Sequence, residues 1–191
     1  FQYVQLFVIS NGVNTKYYAN NRDQDFNQTF FWADAENRLI TQLDAFADAF
    51  LEKCHASKLI STYIVLHESN KVLMVLRPYQ YIAVEAIVER VKSARNHGYI
   101  SHTTGSGKTM TSFKSAQLIA DSKDADKVVF LMDRVELGTQ SLQDYRGFAG
   151  DSDSIQATED TNVLVSKLKS DNPANTLIVT SIQKMSRIKE D

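Results

Sequence analysis

The sequence holds a single cysteine, Cys54, and only two prolines in 191 residues. One cysteine excludes an internal disulfide framework and suits a reducing, cytoplasmic setting. No apolar run approaches the length needed to cross a bilayer, and no signal-peptide pattern opens the chain. A surplus of basic charge is missing too. With a net charge of −2, any nucleic-acid contact must rest on a local lining. Two short patterns are also absent. There is no Glu-x-Lys, which leaves out the acid–lysine core of one large class of metal-dependent nucleases. No Asp-Glu pair follows an apolar strand late in the chain, so the group that polarises an attacking water is not here. Phe1 stands inside an apolar run, as expected of a piece of a longer chain.

What is present centres on residues 99–109, YISHTTGSGKT. A short apolar start predicts a strand, then a loop, then a helix. This is the layout of a P-loop. Backbone N–H groups of Thr104, Gly105, Ser106, Gly107 and Lys108 would curl around a β-phosphate. Lys108 would reach the β- and γ-phosphates of ATP, and the Thr109 hydroxyl would hold Mg²⁺. The helix start adds its positive dipole end to the same anion site. Glycine at 105 and 107 permits a sharp turn and close backbone approach. His102 stands where the common pattern has glycine, a substitution that helicase-like motors tolerate.

Before this loop, FQYVQLFVIS and VNTKYYAN flank Asn11-Gly12, which predicts a hairpin. Phe30-Phe31-Trp32 reads as a buried strand end, with a base-stacking platform as the alternative. From Asp34 the spacing of Leu39, Leu43, Phe46, Ala47 and Phe50 predicts one helix, capped by Asp34 or Asn37. Cys54-His55 lacks the further ligands a metal needs. Two short apolar runs surround Glu68-Ser69-Asn70, and composition places a domain boundary near residue 56. Pro78 opens a helix with Tyr79, Ala83, Ile87 and Val91 on one face, ended by Gly98. After the loop come a helix over 110–119 and an apolar run, VVFLM, read as a strand buried on both faces. Helices over 135–145 and 162–168 and a second buried strand over 176–180 follow. Strands alternating with helices imply a parallel βαβ sheet.

Further residues fit a nucleotide-driven machine. Gln80 can pair with adenine in both directions, and Arg77 can stack on the base or hold the loop. Both types also suit an ordinary helix start. Asp133, at the end of VVFLM, permits a Mg²⁺-holding reading, but Arg134 follows it where a catalytic Glu would stand. A backbone contact to nucleic acid through Arg134 and Gln140 fits better. Thr180, Ser181 and Lys184 close the last strand and suit either a phosphate contact or a helix cap.

In order, LFVISNG…TKYYAN, FFWAD, LRPYQ, HTTGSGKT, VVFLMDRVELGTQ and TSIQKM resemble the R (restriction and translocation) subunit of type I restriction–modification enzymes. The resemblance implies an α/β fold in two parts. Residues 1–55 would be the tail of a PD-(D/E)xK-type nuclease domain, and 56–191 an incomplete first RecA-like motor lobe ending before its DEAD-type Walker B strand. By matching position, Arg77 and Gln80 would face adenine. Gly105 to Thr109 would hold phosphates and Mg²⁺, with Lys108 and Thr109 in the catalytic role. The Asp133 and Thr180 segments would face the DNA track. The nuclease carboxylates would precede Phe1. The parent would translocate double-stranded DNA with ATP and cleave foreign, unmethylated DNA, alongside modification (M) and specificity (S) subunits in a bacterial or archaeal cytoplasm. The fragment alone would bind nucleotide without turning it over. Two alternatives stand beside this: another superfamily-two DNA helicase, and a non-catalytic nucleotide-binding or docking module.

Overall fold

The computed structural model describes residues 3–68, 70–93, 97–132, 147–148, 155–157, 161–172 and 176–188. The chain forms two compact units, one of residues 1–67 with 71–83, the other of residues 68–70 with 84–191.

In the first unit, β1 (Leu6–Ser10) and β2 (Thr15–Ala19) pair antiparallel, with Ser10 opposite Thr15. The hairpin predicted from Asn-Gly is present, but its loop has four residues rather than two. Gly12 takes a left-handed φ of 89°, and the Asn11 side chain accepts the N–H groups of Val13 and Asn14. The Gly12 carbonyl then accepts the Leu43 N–H, satisfying a donor at the start of helix α1 (Leu43–Phe50).

The helix expected from Asp34 starts nine residues late, at Leu43, because local hydrogen bonding wins over periodicity. Asp34 Oδ1 accepts the N–H groups of Glu36 and Arg38, and Asn37 adopts a φ of 61°. This turn closes a small hairpin of β3 (Trp32–Ala33) and β4 (Leu39–Ile40). Leu39, counted on the helix's apolar face, is 62% exposed.

Helix α2 (Lys53–Lys58) runs on through a π-helical turn (Leu59–Tyr63) into the antiparallel pair β5 (Val65–His67) and β6 (Val72–Met74). The Asn21 side-chain amide pairs with the backbone of β6, its Nδ2 donating to the Leu73 carbonyl and its Oδ1 accepting the Leu73 N–H. The core of this unit is aromatic. Tyr17, Phe46 and Phe50 are fully buried, and Trp32 packs against Phe50, His55 and Tyr81. Each such ring contributes about 1.5–3 kcal/mol by burial. Phe30 and Phe31 are only half-buried; the Lys16 ammonium sits 4.8 Å over the Phe31 ring.

Helix α3 (Pro78–Lys92) begins at Pro78 as expected. It stops well short of Gly98, which has no left-handed φ and is not its terminator.

The second unit holds α4 (Lys108–Ser122) and a parallel sheet ordered β7 (Val128–Met132), β9 (Leu177–Ser181), β8 (Ile155–Ala157). Helix α5 (Thr161–Lys169) joins β8 to β9, and a short α6 (Ile182–Met185) follows β9. Central β9 is the fully buried strand, with Leu177, Ile178, Val179 and Thr180 all at or below 4% exposed. The run VVFLM, expected to be buried on both faces, is instead an edge strand with Leu131 46% exposed, because it pairs only with β9 among the described strands. The strand expected just before the P-loop is likewise missing. Residues 97–103 are irregular, and Tyr99 and Ile100 are 94% and 42% exposed. A strand needs a neighbour for its backbone donors and acceptors, and no described strand pairs with this stretch. β8 had no distinct signal in the sequence. The helix expected over 135–145 lies outside the described residues.

Candidate nucleotide-binding site

The loop ahead of α4 takes the conformation that the glycine spacing requires. Gly105 and Gly107 have φ of 76° and 79°, in the left-handed region that other residues enter at a cost. Nothing lies within 4 Å of where a Gly105 Cβ would sit, so backbone conformation rather than crowding calls for glycine there. Gly107 is the residue immediately before a 15-residue helix whose first N–H groups lack intrahelical partners. Thr104, Gly105, Gly107 and Lys108 are exposed, and Ser106 and Thr109 half-buried, so an anion has access.

The side chains close a small network around one backbone oxygen. Lys108 Nζ donates to the Thr103 carbonyl at 3.1 Å, and Ser106 Oγ donates to the same oxygen at 2.7 Å. Ser106 N–H reaches it at 3.3 Å. His102 Nδ1 lies 3.1 Å from Ser106 Oγ. Backbone N–H groups of this curled loop, a helix start and a long, flexible ammonium arm are the kinds of donor that a polyphosphate cradle uses. The donor set fits ATP: Lys108 as a point charge for phosphate oxygens, and the Thr109 hydroxyl as an oxygen ligand for Mg²⁺.

Behind the loop, α4 buries Met110, Phe113, Ala116 and Ile119, and also Thr111, Lys114 and Ser115. The Ser115 hydroxyl donates to the Thr111 carbonyl one turn back. Lys114, 6% exposed, donates to Gln117 Oε1 at 2.9 Å. Burial pulls its ammonium pKa down, and the negative charge of Asp121 opposes this. Motif and composition do not single out Lys114. Its position four residues after Met110, on the buried stripe, is the signal that could have found it.

The remaining site residues divide three ways. In the first unit, Gln80 is 4% exposed, and its Oε1 accepts the Arg77 N–H at 2.9 Å, capping the start of α3. A carbonyl oxygen has a second lone pair, so this cap is compatible with a base contact. Arg77 bonds the Tyr79 hydroxyl at 3.2 Å and lies 4.8 Å over the Phe30 ring. In the second unit, Thr180 is buried in β9 at 3% exposed. Ser181 Oγ accepts the Lys184 N–H as the cap of α6. Asp133, Arg134 and Gln140 lie outside the described residues.

A family model described as SWI2/SNF2 ATPase matches residues 79–191. The type I restriction enzyme SsaAORF53P endonuclease subunit of Staphylococcus saprophyticus is 45% identical over 188 residues, covering 98% of this chain and 20% of that protein. The corresponding SauCOLORF180P protein of Staphylococcus aureus is 42% identical with the same coverage. A Mycoplasma pneumoniae relative, named as the C-terminal part of the putative type I restriction enzyme MpnIIP endonuclease subunit, is 40% identical over 167 residues, 82% of this chain and 80% of its own length. The chain thus spans about a fifth of the length of the staphylococcal relatives.

Proposed function

Because the chain belongs to the SWI2/SNF2 ATPases and to the endonuclease (R) subunits of type I restriction enzymes, we propose that its P-loop binds Mg²⁺·ATP as part of a DNA-translocating motor. The observation that carries this reading is the pair of left-handed glycines ahead of Lys108 and Thr109 at the start of α4. The loop N–H groups bind and orient the phosphates, Lys108 neutralises charge at the β- and γ-positions, and Thr109 supplies a Mg²⁺ ligand. Bound ATP supplies the γ-phosphoryl whose hydrolysis drives motor movement. The sequence holds no Asp-Glu pair after an apolar strand, so no residue here is assigned to polarise the attacking water.

In the same reading, residues 1–55 are the end of a PD-(D/E)xK-type nuclease domain, and 56–191 most of the first RecA-like lobe. Arg77 and Gln80 serve the adenine side. Arg134, Ser181 and Lys184 serve the DNA backbone, with buried Thr180 positioning that strand end. The parent enzyme cleaves foreign, unmethylated double-stranded DNA with M and S subunits in the cytoplasm. Among the described residues no helix is long and apolar enough to cross a membrane. Calorimetric titration of Mg²⁺·ATP into the intact chain, wild type against Lys108→Ala, tests the core claim. Equal affinities would sink it.

A further inference from the structure

We propose that His102 is a positioning residue for the phosphate loop: its Nδ1–H fixes the Ser106 hydroxyl, which braces the Thr103 carbonyl when Lys108 turns to phosphate. This rests on the nucleotide-binding reading of the loop and deepens it.

The hydrogen-bond chain has one possible direction. Ser106 Oγ carries a single proton and gives it to the Thr103 carbonyl at 2.7 Å. At its 3.1 Å contact with His102, therefore, Ser106 accepts, and His102 Nδ1 carries the proton. The order runs His102 Nδ1–H to Ser106 Oγ–H to the Thr103 oxygen. That oxygen also receives Lys108 Nζ at 3.1 Å and Ser106 N–H at 3.3 Å. Three donors crowd an acceptor with two lone pairs, and Lys108 is the exposed, flexible one that departs for a phosphate. Once it has gone, the carbonyl keeps the Ser106 hydroxyl only if that rotor stays aimed at it. His102 supplies the constraint. A hydroxyl without it turns toward solvent or phosphate, and the loop loses a strut between its two ends. A glycine, as the common pattern has at this position, carries no side chain for the task.

The test is calorimetric titration of Mg²⁺·ATP into the intact chain carrying His102→Ala, Ser106→Ala, both together, His102→Asn or Lys108→Ala, with thermal melts of each. His102→Ala and Ser106→Ala are each expected to weaken binding about three- to tenfold, the worth of one hydrogen bond. The double variant should be no weaker than the worse single one, since both break the same chain. Asn places an amide N–H where His has Nδ1–H, and His102→Asn should recover most of the affinity. Additive losses, or His102→Asn as weak as His102→Ala, overturn the proposal. If His102→Ala fails to fold, Ser106→Ala and His102→Asn decide it: normal binding by the former or lost binding by the latter overturns it. Lys108→Ala separates the two readings. Wild-type binding by that variant defeats the nucleotide site itself, whereas its loss beside an unaffected His102→Ala defeats only the role given to His102.

Discussion

The Lys108 ammonium rests on the Thr103 carbonyl, 3.1 Å away, so the charge proposed here to serve phosphate is held by the loop's own backbone. The contact is exposed, and water competes for both partners. Exchanging it for a phosphate oxygen is therefore cheap. Lys108→Ala is expected to lower Mg²⁺·ATP affinity by roughly ten- to a hundredfold, the worth of a hydrogen bond to a charged group. Its unfolding free energy in urea should stay within about 0.5 kcal/mol of wild type, as for other surface changes. A large loss of stability would mean that the lysine holds the loop together instead.

At Gly105 the backbone demand can be separated from crowding. The position has φ of 76° and open space around a would-be Cβ. Gly105→Ala then costs only the left-handed conformation, about 1–2 kcal/mol, taken from loop stability or from binding. Asn tolerates that region better than Ala, and β-branched Val tolerates it worst. The expected order of Mg²⁺·ATP affinity is Gly, Asn, Ala, Val. Affinities independent of the residue at 105 would show that the loop rearranges on binding.

In the first unit, the Tyr17 hydroxyl donates to the Leu76 carbonyl at 2.8 Å inside the aromatic core. Burial pushes this phenol far above its usual range, so it remains a donor at any ordinary pH. Tyr17→Phe keeps the ring and leaves a buried carbonyl unsatisfied. A loss of about 1–3 kcal/mol in urea denaturation is expected. Phe50→Ala, which also opens a cavity among Tyr17, Trp32 and Phe46, should cost about 3–5 kcal/mol.

Lys114 predicts an alkaline signature. Its folded pKa is lowered by burial from 10.5, with Asp121 opposing. Between the lowered value and 10.5 the unfolded chain binds more protons than the folded one, so this group makes stability rise with pH there. Below the lowered value the burial penalty is fully present; above 10.5 it vanishes. Subtracting the pH profile of Lys114→Met from that of wild type should expose this rise. A flat difference would place the ammonium in contact with water.

Much of the site was legible because it depends on local chemistry. Glycines at 105 and 107, Lys108, Thr109 and the helix behind them are consecutive, and their conformations follow from residue type. Pro78 opening α3 and the Asn11-Gly12 hairpin were readable for the same reason. The helix wrongly begun at Asp34 marks the limit. A helical spacing of leucines and phenylalanines was present, but an Asp side chain closing on two N–H groups turned its first residues into a hairpin.

The sequence by itself determined the loop's left-handed glycines and the family, since both rest on short runs of residues whose types and spacing carry the signal. Tertiary structure alone decided which apolar run is central. VVFLM and TLIVT look alike, yet among the described strands β9 is buried between two partners while β7 has one, because burial depends on neighbours that composition does not encode. It also decided that Lys114 is buried and that Gln80 caps its own helix. The link from His102 through Ser106 to Thr103 belongs here too, since a hydrogen bond needs distance and direction as well as matching residue types.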